Sequence, residues 1–475
     1  MATPQEMYDV VVIGAGPVGE NVAGYAVQGG MSAVVVEAEL VGGECSYWAC
    51  IPSKALLRSG EARRAALRVD GAQQAVTGEV DADAVLRRRT SFVSDWDDAG
   101  QLEWLDSTGI DLVRGRGRIS GEREVTVSLP DGGEQVLRAR HAVALCTGSR
   151  PVVPPVEGLR EARPWTNREA VAATEVPPSL AVIGGGAVAS ELAGAYADLG
   201  SQVTMIVRSR LLSGYEDFAG EQVAAALSER GVDVRTGVSP TAVQQDAGQY
   251  EVTCDDGSTV RAAQLLVATG REPRLEGLGL DAVGVATDRV SVDETLRVLG
   301  PDGDPLEWLY AVGDVNGRSP VTHQGKYQAR AAGRVIAARA QGQQVEDARW
   351  GRHAATADHV APTQVVFTDP QVAQVGLTAA AAQDAGLPVR VVDQDLGAVS
   401  GAALHADDYA GQVRMVLDTE RGVVVGVTLV GPDVGELLHA ATVAVVGEVP
   451  VHRLWHTVPA FPTMSEVWLR LLEAL

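Results

Sequence analysis

Asp9-Val10-Val11-Val12-Ile13-Gly14-Ala15-Gly16-Pro17-Val18-Gly19 decides how this chain folds. The apolar run Val10 to Ile13 is β-branched throughout, short enough for a strand and continuous enough to be buried on both faces, as in a parallel sheet. Gly14, Gly16 and Gly19 then permit a tight turn and let a pyrophosphate approach a helix N-terminus, where free N–H groups and the macrodipole favour negative charge. A second strand, Ala33-Val34-Val35-Val36, ends at Glu37, twenty-three positions after Gly14, where a carboxylate accepts hydrogen bonds from ribose hydroxyls. The motif predicts a Rossmann-like dinucleotide site.

The pattern recurs. Leu180-Ala181-Val182-Ile183 leads into Gly184-Gly185-Gly186-Ala187-Val188-Ala189, with a further strand at Val203-Thr204-Met205-Ile206-Val207. The same count from Gly184 lands on Val207, followed by Arg208 and Arg210. An apolar residue cannot hold a 2′-hydroxyl, whereas guanidiniums suit a 2′-phosphate, so the second nucleotide is expected to be NADPH rather than NADH. Solvated surface arginines are the competing reading.

Between the two motifs stands Gly42-Gly43-Glu44-Cys45-Ser46-Tyr47-Trp48-Ala49-Cys50-Ile51-Pro52-Ser53-Lys54. A Cys-x4-Cys pair admits a structural disulfide, half a metal site, or a redox-active pair that opens and recloses. Zinc would want two more ligands nearby and none is at hand. The remaining cysteines, Cys146 and Cys254, lie alone in apolar or strand-like runs where inert buried thiols are common. Both working cysteines are expected at one helix start, with Lys54 a turn further on.

These motifs resemble the flavoprotein disulfide reductases, the family of dihydrolipoamide dehydrogenase, glutathione reductase, mycothione reductase and mercuric reductase. The resemblance runs through Cys146-Thr147-Gly148-Ser149, Ala268-Thr269-Gly270-Arg271, Tyr310-Ala311-Val312-Gly313-Asp314-Val315, Phe367-Thr368-Asp369-Pro370-Gln371-Val372-Ala373 and Pro462-Thr463-Met464-Ser465-Glu466. It implies FAD at the first site, bound by Gly14, Gly16, Gly19, Glu37, Thr147, Gly148 and Asp314, and by the start of the helix at Thr322. It implies the nicotinamide cofactor at Gly184, Gly186, Arg208, Arg210 and Gly270. It also implies a redox disulfide in which Cys50 is the charge-transfer thiolate and Cys45 meets the substrate, and a pairing of Lys54 with Glu191.

The implied architecture is α/β, with two Rossmann-like nucleotide-binding domains and a C-terminal α+β dimerisation domain. Residues 1–150 would carry FAD and the disulfide, 151–272 NAD(P)H, 273–345 a central segment completing the FAD site, and 346–475 the dimerisation domain of a homodimer whose active site the partner subunit completes. With 475 residues, 46% hydrophobic residues and 53 glycines, the composition agrees. A net charge of −23 argues against nucleic acid or anionic membrane as a partner. No apolar run approaches the roughly 20 residues of a membrane span. The first strand begins too close to Met1 for a signal peptide, and a working thiol pair points to the cytoplasm.

Two departures bear on the acceptor. Where the family's disulfide-reducing members read His-Pro-Thr-x-Ser-Glu, with the histidine moving a proton at the interchange thiol and the glutamate, here Glu466, orienting it, this chain has Phe461. Loss of a positioned acid/base costs about 10²–10⁴ in rate. His456 lies five residues earlier and reads as a helix-surface histidine. Between the cysteines, Tyr47 and Trp48 are either packing or a stacking surface for a flat acceptor such as a quinone. The C-terminal residues hold no cysteine pair of the kind mercuric reductase uses to hand over its metal. The expected function is an NADPH:acceptor oxidoreductase whose small-molecule acceptor is a quinone, a metal ion or an unusual disulfide. The alternatives are a lipoamide dehydrogenase or disulfide reductase with a substitute for the histidine, and a flavoprotein of assembly or sensing.

Overall fold

The computed structural model describes residues 6–475, and the chain forms two compact units. One comprises the chain up to Ile51 with Val93–Arg150 and Arg271–His359; the other comprises Pro52–Phe92, Pro151–Gly270 and Val360–Leu475.

In the first unit the opening motif becomes the strand Met7–Ile13 and the helix Pro17–Gln28. The strand pairs in parallel with Ala33–Glu37 on one side, Ile13 opposite Val36, and with Glu134–Leu145 on the other, Ile13 opposite Leu145. Val10, Val11, Val12, Val34 and Val35 are wholly buried, each contributing about 1.5–3 kcal/mol of apolar transfer. This burial on both faces is why the run is continuous rather than alternating. The sheet continues to Ile110–Arg114 at one end and through Pro305–Ala311 to Arg297–Leu299 at the other. Helix Pro17–Gln28 packs along helix Thr322–Ala340 beside this sheet.

The second unit repeats the device. Its parallel sheet runs Asp233–Thr236, Gln202–Val207, Ser179–Ile183, Gln264–Val267, and helix Ala187–Asp198 follows the glycine turn. A five-stranded antiparallel sheet, Thr363–Val366, Gln371–Gly376, Val423–Gly431, Gln412–Asp418 and Val389–Asp395, forms the C-terminal part. Every residue of Val423–Gly431 is buried, and helix Val434–Val446 covers it with Leu438, Ala441, Ala444 and Val445. The architecture is the expected α/β class.

One local expectation is corrected. The cysteines do not share a helix start: Cys45 lies inside the short helix Gly43–Tyr47, and Cys50 opens the long helix Cys50–Leu67. Trp48, at φ −136° and ψ 5°, breaks the helical path between them.

Candidate functional site

In the first unit the glycine turn forms the expected cradle. Gly14 has φ +100°, and a Cβ there would lie 2.5 Å from the Cys146 carbonyl oxygen, so only glycine fits. Gly16 is the N-cap of helix Pro17–Gln28 with no side chain capping the first N–H groups, which keeps them available to a phosphate. The Ala15 N–H donates to Glu37 Oε2 at 2.7 Å and the Glu39 N–H to Oε1 at 2.8 Å, which fixes the carboxylate at its strand end. Thr147 Oγ1 donates to the Arg274 carbonyl at 2.8 Å, and Gly148 has φ +70°. Asp314 Oδ2 accepts from Ser149 Oγ at 2.6 Å, Arg271 donates to Ser149 Oγ and to its carbonyl, and Arg271 also pairs with Glu44 at 3.3 Å. Buried Gln328 accepts from the Gly313 N–H and from Asn316, holding the loop that presents Asp314. An open helix start, a fixed carboxylate and a braced aspartate suit FAD. Gln328, Ser149 and Arg271 as braces were missed by the sequence reading; Ser149 and Arg271 stand inside the quoted motifs, while Gln328 carries no local signal.

Cys45 and Cys50 stand as two free thiols, and both are half-buried. The hydrogen bond with Cys50, followed by burial, raises the Cys45 thiol well above the usual range, while Thr322 and Lys326 pull it down. Cys50 Sγ lies 3.3 Å from Thr322 Oγ1. Cys50 and Thr322 are each the first residue of a long helix, so the sulfur meets the positive ends of two helices, an environment that favours thiolate. Tyr47 is 2% exposed and its hydroxyl donates to Gln101 Oε1 at 3.0 Å, so it is packing and not a stacking surface. Trp48 is half-buried and tilted against Tyr47 at 5.7 Å.

In the second unit Lys54 Nζ pairs with Glu191 Oε2 at 2.7 Å. The Phe367 N–H donates to Glu191 Oε1 at 2.9 Å, and the Phe367 ring lies 4.8 Å from the ammonium. Glu191 is 5% exposed, so both its oxygens are satisfied where an unpaired carboxylate would be costly. Phe367 opens one of the quoted motifs but gave no hint of this contact.

The second nucleotide turn follows the first: Gly184 has φ +137°, a Cβ there would run into the Ala268 carbonyl oxygen, and Gly186 caps helix Ala187–Asp198 with its backbone alone. Gly270 has φ +131° and open space beside it. Arg208 is exposed and makes no ion pair among the described residues. Arg210 is different: it pairs with Asp217 at 2.7 Å and donates to the Ser213 and Tyr215 carbonyls, each at 3.2 Å. It braces its own loop.

At the C-terminus Phe461 is 75% exposed and His456 is exposed just beyond the short helix Val451–Leu454. Glu466 is 9% exposed; Oε1 accepts from Arg470 at 2.7 Å, and Oε2 is buried without a hydrogen-bond partner. Among the described residues no cluster of three or more His, Cys, Asp or Glu is arranged to hold a metal, and no helix is long and apolar enough to cross a membrane.

The profile of the pyridine nucleotide-disulphide oxidoreductase family matches residues 8–342, and that of the family's dimerisation domain matches residues 362–471. A mercuric reductase from Acidithiobacillus ferrooxidans is 33% identical over 470 residues, covering 97% of this chain and 81% of the relative. A dihydrolipoyl dehydrogenase from Chlorobaculum tepidum is 33% identical over 467 residues, covering 97% and 95%. In fold the chain is similar to a Cu(II) complex of the HOCl-induced flavoprotein disulfide reductase RclA from Escherichia coli, with a TM-score of 0.82, 22% identity and 99% of each chain covered. It is equally similar to LpdA from Mycobacterium tuberculosis, with a TM-score of 0.81, 24% identity and 98% of each chain covered. With both nucleotide cradles in place, the chain belongs to the pyridine nucleotide-disulphide oxidoreductase family and is an FAD- and pyridine-nucleotide-dependent oxidoreductase carrying that family's dimerisation domain.

Proposed function

We propose that this enzyme takes electrons from NADPH and delivers them, through the Cys45/Cys50 pair, to a small acceptor that needs no imidazole base: a quinone, a metal ion or an unusual disulfide. The observation that carries this reading is Phe461, an exposed apolar ring at the position where the disulfide-reducing relatives place their histidine.

FAD, bound at the first cradle, supplies the two-electron chemistry linking a nicotinamide to a disulfide. The chain's own residues do the rest. Gly14, Gly16, Gly19 and the open helix start hold the pyrophosphate, Glu37 the ribose, and Thr147, Gly148 and Asp314 the remainder. Cys50, stabilised as thiolate by Thr322 and two helix starts, is the electron-receiving sulfur; Cys45, which keeps its proton, faces the acceptor. Glu191 holds Lys54 in one position as a compact, strongly hydrated point charge. Gly184, Gly186 and Gly270 shape the nicotinamide nucleotide site, and Arg208 is the free cation there for a 2′-phosphate. Val443, Trp455, Val458 and Phe461 are exposed apolar side chains of the dimerisation domain, 54%, 47%, 86% and 75% exposed, and supply a surface for a second copy whose Glu466 segment completes the site. The enzyme works in the cytoplasm, where thiols are kept reduced.

A second reading is a dihydrolipoyl dehydrogenase in which exposed His456 supplies the proton. Steady-state turnover of lipoamide, glutathione disulfide, quinones and metal ions with each nicotinamide cofactor separates the two. Faster turnover of quinones or metal ions than of lipoamide, with NADPH preferred, is the expected result; lipoamide as the best acceptor with NADH overturns it.

A further inference from the structure

Two side chains hold the loop that presents Asp314. Gln328, wholly buried on helix Thr322–Ala340, accepts on Oε1 from the Gly313 N–H at 2.7 Å and from Asn316 Nδ2 at 2.8 Å. Arg318, at the far end of the loop, donates from its side chain to the Val292 carbonyl at 2.6 Å and from its backbone N–H to Asn316 Oδ1 at 3.0 Å. Each brace also carries an unused donor: Gln328 Nε2 and Arg318 Nη1 are buried without a hydrogen-bond partner. Buried donors left unmade are costly, so these two call for an acceptor.

The acceptor beside them is Asp358. Its side chain is buried, and neither carboxylate oxygen has a partner at hydrogen-bond geometry. Burial raises its carboxyl to about 7, while Arg318 and then Gln328 lower it and Glu294 raises it further. The remaining titratable neighbours are Tyr327, which feels the charge of Asp358, and His359, next in the chain. Both are engaged elsewhere. The Tyr327 hydroxyl donates to the Ala354 carbonyl at 3.0 Å and accepts from the Ala357 N–H at 3.2 Å, and His359 approaches Glu294 at 3.6 Å, as does Arg318. Tyr327 thereby ties residues 354–357 to helix Thr322–Ala340, which keeps Asp358 near Gln328, the next residue of that helix.

We propose that Asp358 is a positioning residue for the flavin loop and ties the retention of FAD to its own proton. A carboxylate only accepts, so with Asp358 ionised the Gln328 amide must turn Nε2 toward it. That orientation leaves Oε1 on Gly313 and Asn316 and holds Asp314 in place. A protonated carboxyl also donates. It offers its O–H to Gln328 Oε1, the amide turns over, and the Gly313 N–H loses its acceptor. Only hydrogen bonds change, and the proton exchanges with solvent. The proposal rests on the reading above in which Asp314 holds part of FAD, and it adds to that reading a control by pH: the loop tightens as pH rises through neutrality.

The test is release of FAD from the purified holoenzyme in a fixed chaotropic salt, followed by the rise in flavin fluorescence between pH 5.5 and pH 8.5, for the native protein and Asp358→Asn. Asparagine both donates and accepts, so it imitates the protonated form at every pH. The variant-to-native ratio of release rates is expected near one at pH 5.5 and about two- to tenfold at pH 8.5, the size of one net hydrogen bond. The ratio cancels His359 and also Glu20, whose carboxyl burial raises to about 7 on helix Pro17–Gln28, since both are present in each protein. A ratio flat with pH overturns the proposal. In a Gln328→Ala background, Asp358→Asn should change release at pH 8.5 by less than about twofold, because neighbours that act through one another are not additive. An undiminished effect there shows that Asp358 does not act through Gln328 and refutes the proposal equally. Asp314→Asn separates the proposal from the reading beneath it. Release as slow as native would remove the assignment of Asp314 and the proposal with it; fast release beside a flat Asp358 ratio would keep Asp314 and refute the positioning role alone.

Discussion

Phe461→His tests the feature on which the acceptor turns. Phe461 is 75% exposed, so the exchange removes little packing and should alter stability by less than about 0.5 kcal/mol. Glu466 Oε2 is buried without a partner while Oε1 is held by Arg470 at 2.7 Å, so one carboxylate oxygen stands ready to orient an imidazole N–H. Satisfying a buried orphan acceptor is worth about 1–3 kcal/mol. A positioned acid/base brings about 10²–10⁴ in rate. Ordering an exposed side chain costs about 0.5–1.5 kcal/mol, a factor of up to roughly ten, so the expected gain in disulfide turnover is about 10–10³. The assay is steady-state reduction of lipoamide and of glutathione disulfide by both forms, beside stopped-flow reduction of the flavin by NADPH, which should not change. A gain below threefold with flavin reduction intact refutes the assignment of position 461. Brisk turnover by the native enzyme would show that another group, with His456 the first suspect, already moves the proton.

The thiol roles predict opposite spectra: Cys50→Ser should abolish the long-wavelength charge-transfer band on two-electron reduction, while Cys45→Ser should show the band without reductant; absorbance titration decides, and bleaching of native flavin without any band would refute both. Arg208→Glu should raise KM for NADPH far more than for NADH, whereas Arg210→Gln, which loses contacts to Asp217 and two loop carbonyls, should weaken both cofactors alike; matched losses for Arg208→Glu would sink its role. Asp358 is 4% exposed, neither carboxylate oxygen meets hydrogen-bond geometry, and burial raises its carboxyl to about 7. Its folded value exceeds its unfolded one, so ionisation opposes folding as pH rises through that interval, and Asp358→Asn should raise the melting temperature at pH 8.5 more than at pH 5. Scanning calorimetry at both pH values checks this, and an equal shift refutes it.

Both nucleotide domains were legible without coordinates because their signals are local: a buried parallel strand must be continuously apolar, and the turn after it must be glycine where a Cβ would strike a neighbouring carbonyl. Gly14 and Gly184 meet that demand in the same way. Cys45 and Cys50 stood out by their spacing, but the pairing of Lys54 with Glu191 was legible only through resemblance to a family, since no spacing rule joins Lys54 to a glutamate 137 residues away. The order of motifs likewise stood in for the contacts that place the C-terminal sheet. Tertiary structure alone decided which polar groups were already taken. Arg210, expected as a phosphate ligand beside Arg208, carries contacts to Asp217 and two loop carbonyls that no sequence rule announces, and Tyr47 looked available until Gln101 buried its hydroxyl. Trp48 split the cysteines between two helices, and Thr322 reached Cys50 across 272 residues of chain. A motif specifies backbone through steric and periodic rules that act within a few residues, whereas the charge and freedom of a side chain depend on partners delivered by distant segments.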